Sequence, residues 1–173
     1  MPFTIRRIEA GDETEWRKHW AAYNEFYQRK EDITEDITAT TFNRFLSTQS
    51  HIDCAVAVQS NEGDPTLERV VGFVTYFPHP STYSIQDVVY LEDLFVDPEQ
   101  RNGGVGRKLI EYVYAEADKA GYTAVYEGWD QDGLHYVCAT MICIVKVLSV
   151  ATAMSAIEAV RQINISAYEA LVL

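Results

Sequence analysis

The sequence predicts an α/β domain built on a mixed sheet, from three observations. Short apolar runs of strand character lie at residues 3–8, 52–59, 70–77, 87–96 and 123–126. Stripes with helical spacing separate the first run from the second and the fourth from the fifth. The resulting order, β-α-α-β-β-β-α-β, contains no internal repeat or linker, so residues 1–173 read as one domain. With 47% hydrophobic residues in 173, the chain has enough apolar material for one sizeable core.

Each element has its own signal. Residues 3–8 alternate weakly, as a strand with one wet face does. Asp12 with Glu15 three residues on has the form of a helix start. Trp16, Trp20, Tyr23 and Tyr27 follow on one helical face, an aromatic stripe expected in the core. The acidic run 31–36 reads as a loop, and Phe42, Phe45 and Leu46 mark a second helix. Strands at 52–59 and 70–77, joined by the turn residues 61–65, form an antiparallel pair, with Pro78 and Pro80 ending the second. Asp97-Pro98 stops the strand at 87–96. Val105, Leu109, Val113 and Ala117 then form a helical stripe closed by Gly121.

The composition excludes several function classes. A formal net charge of −12 with no basic patch argues against nucleic acid and favours a small cationic amine or a basic peptide tail. Cys54, Cys138 and Cys143 contain no C-x-x-C pair and the four histidines are scattered, so no metal site is expected. The N-terminus has no apolar signal region, which with the odd cysteine count predicts a cytoplasmic protein, the nucleus being a second compartment. The run 136–157, interrupted by Lys146, is read as a buried strand and helix and not as a membrane span.

Chemistry concentrates in the loop Arg101-Asn102-Gly103-Gly104-Val105-Gly106-Arg107, between a strand and a helix. Glycines let a ligand approach the backbone, and a helix N-terminus offers unpaired N–H groups at the positive end of its dipole. That is an anion site suited to a pyrophosphate. The pattern is neither G-x-x-x-x-G-K-[ST] nor G-x-G-x-x-G.

Residues 101–106 fit the [Q/R]-x-x-G-x-[G/A] motif of the GNAT superfamily, and the flanking YLEDLFVDPEQ and GRKLIEYVYAEADKAGY are similar to that family's central segment. The chain resembles acetyl-CoA-dependent N-acetyltransferases of this superfamily over roughly residues 3–126. It is nearest to fungal histone-and-polyamine-type enzymes, and YLED also resembles the strand of spermidine/spermine acetyltransferases. The resemblance implies the GNAT fold: a mostly antiparallel mixed sheet, flanked by helices, whose fourth and fifth strands splay to admit acetyl-CoA. It further implies that the backbone of Leu94, Phe95 and Val96 pairs with the pantetheine amides. N–H groups from Arg101 to Arg107 would hold the pyrophosphate, with Arg107 adding charge.

The implied reaction needs a proton acceptor, because only the neutral amine attacks a thioester. Deprotonating an alkylammonium at neutral pH costs about 4–5 kcal/mol. Glu92 and Asp93 are the candidates. As neighbours on a strand they face opposite ways, which puts Tyr90, Glu92, Leu94 and Val96 on one face and Leu91, Asp93 and Phe95 on the other.

After Tyr126 the family's pattern stops, and residues 127–173 form an atypical C-terminal segment. The change has the character of an altered reading frame, an unspliced gene model or a lineage-specific tail. The family's thiolate-protonating tyrosine has no clear counterpart. Tyr136 is the candidate nearest in position, and Tyr168 comes too late. Three readings follow: an N-acetyltransferase for a polyamine, an amino acid or a lysine side chain; a non-catalytic acyl-CoA binder; and an interaction protein whose apolar tail makes a homodimer.

Overall fold

A computed structural model describes residues 3–61 and 64–127. β1 (Phe3–Arg7), β2 (Asp53–Asn61), β3 (Asp64–His79), β4 (Val88–Val96) and β5 (Val125–Glu127) form one sheet in sequence order. Neighbours are antiparallel except β4 and β5, which are parallel. A parallel pair needs a crossover connection, and α3 (Val105–Ala120) supplies it. α1 (Glu13–Phe26) and α2 (Glu35–Leu46) lie between β1 and β2.

Each face of the sheet has its own core. On one, Ala55, Val74, Leu91 and Val96 pack against Leu109, Val113 and Ala117 of α3. On the other, Val56, Phe73 and Phe95 pack against Trp16 of α1 and Phe42 and Phe45 of α2. The aromatic stripe is core at its start and not at its end. Trp16 is fully buried and stacks on Trp20 at 5.6 Å, whereas Tyr27 lies past the helix and is exposed. The α3 stripe is buried as its spacing predicts, and Gly121 closes the helix at φ 76°, a conformation that favours glycine.

Several boundaries differ from expectation for identifiable reasons. Asp12 does precede α1, but its carboxylate makes no cap there. It accepts from the Glu9 backbone N–H at 2.8 Å and from Arg6 at 2.7 Å, fastening a short 3-10 turn to β1 instead. The acidic loop ends at Thr34, whose hydroxyl accepts from the Ile37 N–H. Glu35 and Asp36 belong to the first turn of α2, where their charge suits the helix dipole. Pro78 does not end β3, which continues to His79 paired with β4. β2 pairing stops at Tyr76, so among the described residues Pro78 lies where β3 has no partner on that side, a place where a missing N–H is tolerated.

Candidate active site

The register of β3 on β4 breaks once. Thr75 opposes Asp93 and the next residue, Tyr76, opposes Leu91, which leaves Glu92 as an extra residue in β4. This β-bulge overturns the simple alternation expected for the strand. Leu91 and Leu94 both lie on the α3 face, with Val96, because the bulge inserts one residue between them; Phe95 lies on the α1–α2 face. Glu92 is exposed at the bulge, and Asp93 is turned toward α1. Among the described residues, β5 pairs with β4 only at Val89–Leu91, so no strand covers the β4 edge at Leu94, Phe95 and Val96.

The two carboxylates have different surroundings. Asp93 is half-buried; its carboxylate accepts from the Thr75 hydroxyl at 2.5 Å and from Tyr23, and its own N–H donates to Thr75 at 3.0 Å. Burial raises its pKa above the ordinary value, while those two hydroxyls and the charge of Arg29 pull the other way. Glu92 has a raised pKa as well, chiefly because protein covers part of it and secondarily because Asp93 is adjacent. A raised carboxylate is a stronger base once ionised, and Glu92 is the one with access to solvent.

The glycine-rich loop delivers the helix end that its sequence implies. Asn102 and Gly104 have φ of 62° and 77°, both left-handed. Gly104 is the α3 N-cap and carries no capping side chain; the first N–H returned into the helix is that of Lys108, to the Gly104 carbonyl at 3.1 Å. The amides of Val105, Gly106 and Arg107 precede that bond and form the open N-terminus. An added Cβ on Gly104 would meet nothing within 4 Å, so the space over the loop is open; at Gly103 it would lie 3.2 Å from the Gln100 carbonyl. Arg107, expected to add charge, is held by Glu111 at 3.2 Å. Arg101 is the other cation of the loop; its Nε donates to the Val96 carbonyl at 3.4 Å, and it has no carboxylate partner among the described residues.

Strand periodicity and spacing do not reveal Thr75 or Gly72. A Cβ on Gly72 would lie 2.7 Å from the Phe95 carbonyl, so only glycine lets β3 pass this close to β4. The helical spacing of Tyr23 points to core alone, yet its hydroxyl serves Asp93. A threonine inside the apolar run VVGFVTYF is the available signal for Thr75. Tyr136, Cys138, Cys143 and the run 136–157 lie outside the described residues. Among the described residues no cluster of metal-binding side chains occurs, and no helix is long and apolar enough to cross a membrane.

Among the described residues, a bulged strand with an uncovered edge thus leads through a glycine loop into a helix N-terminus that has no capping side chain. Residues 13–135 match the acetyltransferase (GNAT) family, and the chain belongs to it. It is 38% identical over 132 residues to the D-amino-acid N-acetyltransferase HPA3 of Saccharomyces cerevisiae, a match covering 76% of this chain and 75% of that protein. A 61-residue stretch is 41% identical to the thialysine N-epsilon-acetyltransferase of Bos taurus, 35% of each chain. Among solved structures the fold is shared with AAC(6')-Iy in complex with a CoA-containing bisubstrate analogue (TM-score 0.61, 18% identity, 77% of this chain and 83% of that one). It is also shared with an aminoglycoside acetyltransferase from an uncultured soil metagenomic sample (TM-score 0.59, 21% identity, 76% and 80%).

Proposed function

We propose that the chain transfers the acetyl group of acetyl-CoA to the primary amine of a small cationic acceptor, by direct attack in a ternary complex. The observation that carries this is the continuity of the β4 edge at Leu94, Phe95 and Val96, which no strand among the described residues covers, with the uncapped N-terminus of α3. An extended chain of amides ending in a pyrophosphate matches that surface: a strand-like partner first, then an anion among N–H groups. The amine nitrogen forms its bond to the thioester carbonyl carbon and the carbon–sulfur bond breaks. The proton from nitrogen passes to Glu92, directly or through water, and the thiolate leaves to be protonated. Asp93, held by Thr75 and Tyr23, contributes a fixed negative charge that favours a cation near the bulge.

The names of the yeast and bovine relatives support an amino acid as the acceptor class. The test joins two measurements: calorimetric titration of acetyl-CoA into the protein, and release of free CoA thiol with a panel of amino acids, polyamines and lysine peptides. Binding with thiol release that depends on the amine supports the proposal. Absence of acetyl-CoA binding in the folded protein rejects it. Binding without turnover favours the non-catalytic acyl-CoA binder, a reading motivated by the atypical segment after Tyr126.

A further inference from the structure

The residue that follows β4 uses every polar group it has. Asp97 is buried, and its backbone N–H donates to the Val71 carbonyl of β3 at 2.9 Å. Its carbonyl accepts from the Gln100 N–H at 2.8 Å, which closes the 3-10 turn Pro98–Gln100. One carboxylate oxygen accepts from the Glu99 N–H at 3.0 Å, and the other accepts from the Arg69 guanidinium of β3 at 2.5 Å. A second guanidinium nitrogen of Arg69 lies 4.0 Å from the Glu99 carboxylate, on the same turn. One buried side chain therefore fastens the turn to the strand beside it.

That turn sets the path of the glycine loop. A Cβ on Gly103 would lie 3.2 Å from the Gln100 carbonyl, so loop and turn meet backbone to backbone. The Arg101 Nε, donating to the Val96 carbonyl, ties the same stretch to the end of β4. Beyond the loop, a Cβ on Gly106 would lie 3.6 Å from Val96 Cγ2, so the first turn of α3 rests on β4 as well. Residues 101–104 are thus anchored at both ends, with Asn102 and Gly104 left-handed within them.

We propose that Asp97 is a positioning residue for the cosubstrate. By holding the turn Pro98–Gln100 it fixes the loop, so that the Val105, Gly106 and Arg107 amides are set to receive a pyrophosphate before it arrives. Arg69 holds the carboxylate in that orientation. An anion site made of backbone amides has no side chain to adjust, so its affinity depends on where the backbone is held. Asp97 acts through the loop and not by contact with the cosubstrate. The inference rests on the acetyl-transfer reading and assigns the residue outside the loop that sets its cosubstrate affinity.

The experiment titrates acetyl-CoA calorimetrically into the full chain and its variants, and follows hydrogen–deuterium exchange of each unliganded protein. Asp97→Ala removes the bond to the Glu99 N–H and the Arg69 pair together. It should weaken acetyl-CoA about ten-fold, the scale on which a lost preorganisation acts. Faster exchange should be confined to residues 97–107. Asp97→Asn keeps an oxygen for the Glu99 N–H and should recover part of the affinity. Arg69→Gln alters an exposed side chain, so it carries the test where Asp97→Ala fails to fold; it should weaken acetyl-CoA by less than Asp97→Ala. Unchanged affinity in the folded variants overturns the inference, as does Asp97→Asn binding no better than Asp97→Ala. Faster exchange throughout the sheet overturns it too, because the effect is then one of global stability. Failure of the wild type to bind acetyl-CoA is a different outcome: it overturns the acetyl-transfer reading, and this inference with it.

Discussion

Thr75→Val removes one hydroxyl and conserves shape. Thr75 is 1% exposed, so nothing from solvent replaces what is lost. The hydroxyl donates to the Asp93 carboxylate and accepts from the Asp93 N–H. The first bond involves a charge and is worth about 1.5–3 kcal/mol, and the second about 0.5–1.5 kcal/mol, so a loss of about 2–4 kcal/mol is expected at neutral pH. The pH dependence follows from Asp93. Burial holds its folded pKa above the ordinary 3.8, so the associated stability is full below that value and lost as pH rises through the folded pKa. Removing a donor to the ionised form raises the folded pKa further. The mutant's deficit should be largest near neutrality and shrink to about 1 kcal/mol in acid, where the carboxyl is protonated in both proteins. Urea unfolding of both proteins at about pH 7.5 and about pH 3 reads this out. A deficit below about 0.5 kcal/mol near neutrality, or one that grows in acid, would refute the reasoning.

Gly104→Glu puts a charged side chain at φ 77°, costs about 1–2 kcal/mol of stability and should abolish acetyl-CoA binding; Gly104→Asn, which tolerates this conformation, separates strain from charge in the same calorimetric assay. Glu92→Gln should lower kcat by about 10²–10⁴-fold with acetyl-CoA affinity unchanged, measured by thiol release. Asp93→Asn removes the neighbouring charge that raises Glu92, so the acidic limb of the kcat/KM profile should move to lower pH; an unmoved limb would assign that limb to another group. Gly72→Ala drives a Cβ against the Phe95 carbonyl, a backbone atom that cannot swing aside, and should cost about 1–3 kcal/mol in chemical denaturation.

Much of the fold was legible in the sequence because periodicity reports burial. Val105, Leu109, Val113 and Ala117 line one side of α3 as their spacing implies, and Gly121 ends it. The glycine loop was legible because glycines clustered at a helix start leave its first amides uncovered by side chains, and that is a chemical property of the residues themselves. Periodicity fails where one residue is inserted. Nothing in YLEDLFV signals that Glu92 is extra, because a bulge is defined by the partner strand, and the partnership of Thr75 with Asp93 spans 18 positions. Asp12 misled for a related reason: an aspartate before a helix serves equally as a cap or as an acceptor for a nearby arginine, and Arg6 was there to claim it.

The missing cap on α3 has a thermodynamic consequence. A serine or aspartate at Gly104 would satisfy the first amides from within the chain and compete with any anion for them. With glycine there, the acetyl-CoA pyrophosphate proposed above would meet those amides without a competing side chain, and its binding would add to the stability of the folded chain. By mass action, an anionic ligand at a hundred times its Kd stabilises the folded chain by about 2.7 kcal/mol. On that proposal the melting midpoint should climb with acetyl-CoA concentration.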